Sequence, residues 1–457
     1  MTITATDLTA RLRDFVRGTL LTPQDPDYEE ARRVEARAVD VRPLAIVRAL
    51  DAEDVQAVVA AVSGSGVPLA VRGGGHSAAG HGTVEAGVVL DLAGLTELDI
   101  DVAGRTARAG AGLTAGDYAR ATAEHGLATG FGDTAAVGIA GITLGGGLGL
   151  LSRRYGLTVD ALLGAEVVTA DGRLRAVDAD HDPDLFWALR GGGGNFGVVT
   201  SLTFRLEELG ETTGGLLVLP ATPETLSGFL AASARAPREL TTIATVMPCP
   251  PVPFVDEAHH GVPVIFGTVL HVGTPDQAAV VLAPLRALAE PLADLVHTAP
   301  YAELLGWEEI PRSVFASRTN FLEQVDPATA GRVIAAISDG PGPVRMAQFR
   351  VLGGAIADVA DDATAYGFRD RAVVTYLACL ADGPEGLPEA ADWADGLLAV
   401  LDQGDHTAYV NFVGAPGPRT AQDAYPPATW ERLRAVKAAY DPDNLFRRNH
   451  NIPPAVV

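Results

Sequence analysis

The sequence predicts an α+β protein in two principal parts, and three observations carry that prediction. Residues 1–209 mix short apolar strands with helices and are punctuated by three glycine-rich blocks. A polar junction, Leu209-Gly210-Glu211-Thr212-Thr213-Gly214-Gly215, then changes the character of the chain. Beyond it, in residues 210–414, strand and helix patterns alternate in a mixed order, which reads as an antiparallel sheet backed by helices. A tail, 415–457, completes the chain.

In order along the first part, residues 45–48 read as a strand, and Asp51 caps a helix running to residue 62 with Asp54 in its first turn. Val67, Leu69 and Val71 form a short strand, followed by strands at 88–92, 98–100 and 106–109. Residues 138–149 hold too many glycines for a stable helix interior. Strands 167–170 and 173–177 flank Asp171-Gly172, which supplies the positive φ of a type I′ hairpin. A helix over 182–189 leads into glycines and a strand over 198–206.

In the second part, strands are expected at 241–246, 264–272, 344–352 and 373–380, with helices at 223–234, 275–289 and 327–336. Residues 407–412 would be the last strand, with Tyr409 and Asn411 on one face and Val410 and Phe412 on the other. The tail holds a final helix. No internal repeat or low-complexity tract is present.

Composition narrows the function. The 457 residues carry a net charge of −23 and a pI near 4.7, which argues against nucleic acid and anionic membrane surfaces as partners. No stretch approaches the ~20 apolar residues of a membrane span, and the N-terminus lacks a basic-then-apolar leader, so a soluble, cytoplasmic protein is expected. Lys437 is the only lysine and lies in a polar run, 431–437, that reads as an ordinary helix, which disfavours Schiff-base chemistry. Cys249, in a proline-rich loop, and Cys379, in an apolar run, make no disulfide framework. His259-His260 lack a third ligand at metal-binding spacing, and His81, His125, His181, His297 and His406 sit in polar contexts that suggest solvated rings.

The most informative stretch is Val71-Arg72-Gly73-Gly74-Gly75-His76-Ser77. Three glycines let backbone N–H groups close on a bulky anion such as a pyrophosphate, and an imidazole arrives beside it. Alone, this could be a tight turn with an incidental histidine. It is accompanied by Gly138-Ile139-Ala140-Gly141-Ile142-Thr143-Leu144-Gly145-Gly146-Gly147-Leu148-Gly149, by Arg190-Gly191-Gly192-Gly193-Gly194-Asn195-Phe196-Gly197-Val198-Val199-Thr200, and by the terminal block from Tyr440 to Ile452. Residues 192–197 satisfy G-x-G-x-x-G, but they follow a helix and enter a strand, the reverse of a dinucleotide-binding fold.

These four blocks, in this order and over essentially the whole chain, resemble the FAD-linked oxidases of the vanillyl-alcohol oxidase superfamily, and within it the berberine bridge enzyme-like branch. The resemblance implies a two-part FAD-binding domain of the PCMH/VAO type, to which the C-terminal tail returns, plus the α+β substrate domain. It implies FAD attached covalently to His76 through the 8α-methyl carbon. The cofactor-binding positions it implies are Arg72, Gly73, Gly74, Gly75, His76, Ser77, Thr134, Val137, Gly138, Gly141, Thr143, Gly145, Gly147, Asp160, Asn195, Gly197, Val198, Val199, Asn449 and Asn451. His450 would help frame the isoalloxazine less directly than its asparagine neighbours.

Departures from the branch pattern matter as much. Some relatives attach the flavin a second time through a cysteine; Thr134 takes that position here, so single attachment is expected. Val137 stands where a small residue resembles oxidases and a bulky one dehydrogenases. Alcohol-oxidising relatives carry a Tyr-x-Asn-Tyr motif, but this chain reads Tyr409-Val410-Asn411-Phe412, and a second tyrosine in the glycine block is replaced by Leu148. Phe412 cannot accept a proton, so either another group acts (Tyr409, Tyr155 or His271) or the substrate is a neutral amine that needs no base. The expected activity is hydride transfer from a small organic substrate, at a C–H beside oxygen or nitrogen, to FAD, with O2 as oxidant and H2O2 as product. The alternatives are an amine oxidase and a flavin-dependent cyclase or non-redox scaffold. A homodimer is compatible with this reading.

Overall fold

The computed structural model describes residues 5–306, 314–414 and 417–456. The expected boundary at residue 415 falls outside the described residues.

Among the described residues the first part folds on two main sheets, with a small antiparallel ladder pairing Leu127–Ala128 with Glu207–Glu208. A four-stranded sheet runs in the order Thr19–Leu21, Ala45–Arg48, Val88–Asp91, Leu69–Arg72, with its last three strands parallel. The helix Ala52–Val62 begins where expected: the Asp51 carboxylate accepts the Asp54 N–H at 3.0 Å. A five-stranded antiparallel sheet follows in the order Leu98–Asp101, Thr106–Gly110, Val198–Arg205, Leu162–Val168, Leu174–Asp178. Val47, Val59, Leu90 and Phe204 share one core with Leu433, Val436, Phe446 and Ile452 from the tail, so the end of the chain packs against its beginning.

The second part is a nine-stranded sheet whose pairings are all antiparallel. Its central order is Thr212–Pro220, Pro263–Val272, Leu240–Pro248, Arg345–Val351, Val373–Ala381, Val314–Arg318. One face buries Ala347, Phe349, Val351, Val373 and Leu377 against the helices Pro223–Arg235, Pro275–Arg286, Pro327–Asp339 and Leu387–Val400. The other face looks back at the first part. Among the described residues no helix is long and apolar enough to cross a membrane.

Several local expectations are corrected. The hairpin at Asp171-Gly172 is not type I′, because only Gly172 has positive φ. Three residues separate Thr169 from Arg173, and the Gly172 N–H reaches the Thr169 carbonyl at 2.9 Å, as in a type I turn closed by a left-handed glycine. The glycine block 138–149 does contain a helix, Ile139–Leu144, capped by Gly138 and Gly145. It is short enough for buried Ile139 and Leu144 to outweigh the cost of Gly141. The junction at 212–215 opens the strand Thr212–Pro220. Gly215 is required inside it, because its φ is +136° and a Cβ would lie 2.5 Å from the Leu295 carbonyl oxygen. Residues 407–412 are not a strand: Val410–Phe412 form a 3-10 turn.

A glycine-lined loop facing a polar sheet

The strand Leu69–Arg72 delivers the glycine run. Arg72, expected at the cofactor, is buried and donates to Asp91 Oδ2 at 2.8 Å, fastening its own strand to the neighbouring one. Beyond it, Gly74 meets the second glycine block backbone to backbone, since a Cβ on Gly74 would sit 2.5 Å from the Gly138 nitrogen. Gly74 and Gly141 are exposed, and His76 and Ser77 are half-buried. A Cβ on Gly141 or on Gly194 would touch nothing within 4 Å. Two glycine blocks thus bring bare backbone together beside His76, with open space over Gly141 for a ligand that lies against peptide groups.

Other expected positions divide by what already occupies them. Thr143 donates to the Ile139 carbonyl at 2.6 Å within its helix. Asp160 holds Arg369 through two bonds, 2.7 and 3.0 Å, with both side chains buried. Gly145 is packed against Asn411, and Gly147, with φ +80°, against Thr158. Thr134 bridges to Gly306. Gly197 leaves no space for a side chain beside Val167, and Val198 and Val199 are buried in their strand. Val137 remains half-buried near the open glycine surface.

The terminal block is tied to this region by Asn195. Its amide donates to the His450 carbonyl at 3.1 Å, and its oxygen accepts the Ile452 N–H at 2.9 Å. Lys437 completes the tie and is no ordinary surface lysine. Fully buried, it donates to the Asn195 carbonyl at 2.7 Å, the Phe446 carbonyl at 3.0 Å and Asp441 at 2.6 Å. Burial lowers its pKa, opposed by Asp441. Arg448 donates to the Thr83 carbonyl at 3.0 Å. His81, expected in solvent, instead meets His450 edge-on at 4.6 Å. Burial pushes His81 down to about 3, helped by His450 and Arg448, and burial pushes His450 down to about 4. Asn449 Oδ1 and Asn451 Oδ1 are buried without a hydrogen-bond donor. Two orphaned acceptors on the segment that packs beside the His76 loop are suited to a donor-bearing ligand such as a flavin ring edge.

The opposite wall is polar sheet. On Arg345–Val351, Gln348 and Arg350 alternate with the core residues Ala347, Phe349 and Val351 and so face the first part of the chain. Gln348 pairs across the sheet with Thr245 on one side and Tyr376 on the other. Arg350, also buried, donates to Gln348 Oε1 at 3.0 Å through Nε and to Asp133 at 2.9 Å through Nη2. Its guanidinium lies 5.1 Å from the centre of the Phe412 ring, and the Tyr376 ring is also 5.1 Å from Phe412.

Tyr409 and Phe412 do not point to opposite sides, because the 3-10 turn brings their rings to 4.8 Å, edge to face. The Tyr409 phenol oxygen accepts N–H bonds from Gly147 at 3.1 Å, Leu148 at 3.3 Å and Asn411 at 2.9 Å, and the residue is only 2% exposed. Asn411 also donates to the Ile142 carbonyl at 3.1 Å. Burial raises the Tyr409 pKa against the lowering effect of these donors. Tyr155 and His271 lie elsewhere, in a cleft of about 440 Å³ with Arg154, Glu208 and Glu239; the Tyr155 hydroxyl donates to the Glu208 carbonyl at 2.9 Å. Sequence reasoning missed Asp133, Gln348, Arg350 and Tyr376. The polar–apolar alternation of Arg345–Val351 is the signal that could have exposed two of them.

Comparison with known proteins gives this arrangement its context. Residues 43–178 match the model of an FAD binding domain, and residues 408–453 match the model described as berberine and berberine like. (R)-6-hydroxynicotine oxidase of Paenarthrobacter nicotinovorans is 32% identical over 470 aligned residues, covering 96% of this chain and 97% of that protein. The crystal structure of 6-hydroxy-D-nicotine oxidase from Arthrobacter nicotinovorans superposes with a TM-score of 0.86 at 28% identity, covering 96% of this chain and 98% of that one. BBE-like 1 of Physcomitrella patens shares the fold, with a TM-score of 0.87 at 22% identity and coverage of 98% and 100%. With an FAD-binding module at one end, a berberine-type module at the other and a full-length oxidase relative spanning both, this chain belongs to the berberine bridge enzyme-like family of FAD-linked oxidoreductases.

Proposed function

We propose that the protein is an oxidase that takes a hydride from a C–H bond beside oxygen or nitrogen in a small organic substrate. The chemistry FAD supplies when bound is acceptance of that hydride at N5 and return of both electrons to O2 as H2O2. The observation that carries the reading is the opposition of two walls: a glycine-built backbone surface beside His76, and a polar, aromatic sheet face bearing Arg350, Tyr376 and Phe412. Backbone N–H groups around Gly73–Gly75 and Gly138–Gly141 suit the pyrophosphate, and the orphaned oxygens of Asn449 and Asn451 suit N–H donors of the ring. His76 is the residue we assign to the covalent bond with the 8α carbon, and Thr134, a hydroxyl, forms no second one. Arg72 and Asp160 act through ion pairs that hold the walls in place.

Tyr409 and Asn411 frame the site. A phenol oxygen already receiving three N–H donors and almost fully buried orients Phe412 and the 145–148 loop. An amine substrate is the second reading, favoured by the full-length similarity to a protein named for 6-hydroxynicotine oxidation and by Phe412 in place of a phenol.

The test is anaerobic. Cellobiose, vanillyl alcohol and (R)-6-hydroxynicotine are each mixed with the flavin-loaded protein, and the visible flavin band is followed. Bleaching by at least one probe, reversed by air with stoichiometric peroxide, is expected. A band unchanged by every member of a wider panel of sugars, benzylic alcohols, cyclic amines and polyketides would favour a non-redox scaffold.

A further inference from the structure

The chain has lost the phenol expected at position 412, yet a phenol stands against that position from the other side. Tyr376 belongs to Val373–Ala381, where Val373 and Leu377 enter the helix-backed core. By alternation Tyr376 shares the opposite face with Val374, which packs in the cluster of Tyr409 and Leu148. The Tyr376 ring contacts the Phe412 ring at 5.1 Å and is half-buried, unlike Tyr409. The other groups considered for proton transfer are committed or remote. Tyr409 is saturated by three donors, and Tyr155 and His271 line a cleft whose walls include none of these residues.

Resting on the oxidase reading above, we propose that Tyr376 is the catalytic residue that takes the proton of a substrate hydroxyl, with Arg350 as the positioning residue that stabilises its phenolate. In the step, the substrate O–H bond breaks and its proton passes to the phenolate oxygen. The C–H pair leaves as hydride for FAD, the C=O bond forms, and O2 is the terminal oxidant. The phenol then returns its proton to solvent.

Arg350 is shaped for its part. Asp133 and Gln348 take Nε and Nη2, fixing the guanidinium over Phe412, while Nη1 makes no hydrogen bond to any described residue. The charged groups that bear on Tyr376 are Arg350 and Glu35, whose backbone N–H bonds the Gly75 carbonyl at 3.2 Å. Burial raises the Tyr376 pKa to about 12; Ser317 and Arg350 lower it, and Glu35 raises it. The active phenolate is therefore a minor form at neutral pH, and turnover of an alcohol should climb with pH through the alkaline range.

The experiment uses the flavin-loaded protein and its Tyr376→Phe and Arg350→Gln variants, with cellobiose and vanillyl alcohol as alcohol probes and (R)-6-hydroxynicotine as the amine. Tyr376→Phe should lower kcat on an alcohol by at least about 100-fold with KM changed little, and should abolish the alkaline rise. Arg350→Gln should move that rise to higher pH. Independently of turnover, the ultraviolet tyrosinate titration of the parent minus that of Tyr376→Phe isolates one phenol, and Arg350→Gln should shift its midpoint upward. Parent-like kcat and pH profile in Tyr376→Phe, or oxidation of the amine alone, overturns the proposal while leaving the oxidase reading intact. If no probe reduces the flavin, the oxidase reading loses its support and the titration decides the Tyr376–Arg350 coupling. A midpoint unmoved by Arg350→Gln counts against that coupling.

Discussion

Gly74 and Gly138 meet backbone to backbone on one wall of the site, whereas Arg350, Tyr376 and Phe412 build the other from side chains. The two walls fail in different ways. The backbone wall has no room for an added Cβ where Gly74 and Gly138 meet, and it depends on how the chain is anchored behind it. A side-chain wall tolerates conservative exchange in its fold but changes its chemistry with each one. Substitutions on the first should therefore cost stability and cofactor retention, and substitutions on the second should cost or redirect turnover.

The largest effect is expected behind the backbone wall, at Lys437. Replacement by Met removes three charge-assisted bonds and leaves the fully buried Asp441 carboxylate without its counter-charge, held among the described residues only by the Leu445 and Phe446 N–H groups. Breaking a buried pair from one side costs about 3–5 kcal/mol, so chemical denaturation should show a loss of that order. The tail should become protease-sensitive first, because Lys437 joins Asn195 to Phe446. A Lys437→Met protein as stable as the parent would mean that the tail is held by its apolar contacts alone.

The side-chain wall is probed at Phe412. Phe412→Tyr introduces a hydroxyl on a ring that already touches Tyr409, Tyr376 and the Arg350 guanidinium. Unfolding should change little. With an alcohol substrate, turnover should rise or its pH profile shift, by about tenfold at most, as a second titratable phenol enters. With a neutral amine the profile should follow the substrate's own pKa and stay put. Equal loss of stability and turnover would blur the distinction between the walls.

How much of this was legible in the sequence follows the same division. The glycine blocks are readable because a close backbone approach such as that of Gly74 and Gly138 needs glycine at fixed neighbouring positions, and such runs are local. Strands such as Val373–Ala381 and helices such as Ala52–Val62 were readable from periodicity and caps. Residues 407–412 read as a strand in the sequence because so short an alternation looks the same whether the chain stays extended or winds into the 3-10 turn Val410–Phe412. Tyr376 and Arg350 escaped notice because their proximity to Phe412 arises from sheet register, which pairs Gln348 with Tyr376 across strands that no local pattern relates. Arg72 and Asp160 each make a buried ion pair, with Asp91 and Arg369, that no local pattern announces.

The smallest expected effect separates the tail from both walls by pH. His81 and His450 titrate near 3 and 4 in the fold against an ordinary value of 6.5. The unfolded chain therefore binds more protons between those values, so the contribution is intact above pH 6.5 and is lost as pH falls toward 4. In His81→Gln, the drop in denaturation midpoint between pH 7 and pH 5 should be smaller than in the parent. An identical drop would assign the acid sensitivity to carboxylates elsewhere.

The central proposal is FAD lying along the glycine wall and bonded to His76. Acid precipitation of the flavin-loaded protein, followed by peptide mass mapping, tests this most directly. The pellet should stay yellow, with one peptide, the one containing His76, carrying the mass of the flavin, and with the Thr134 peptide unmodified. Colour released to the supernatant with an unmodified His76 peptide, or flavin found on another residue, would contradict it.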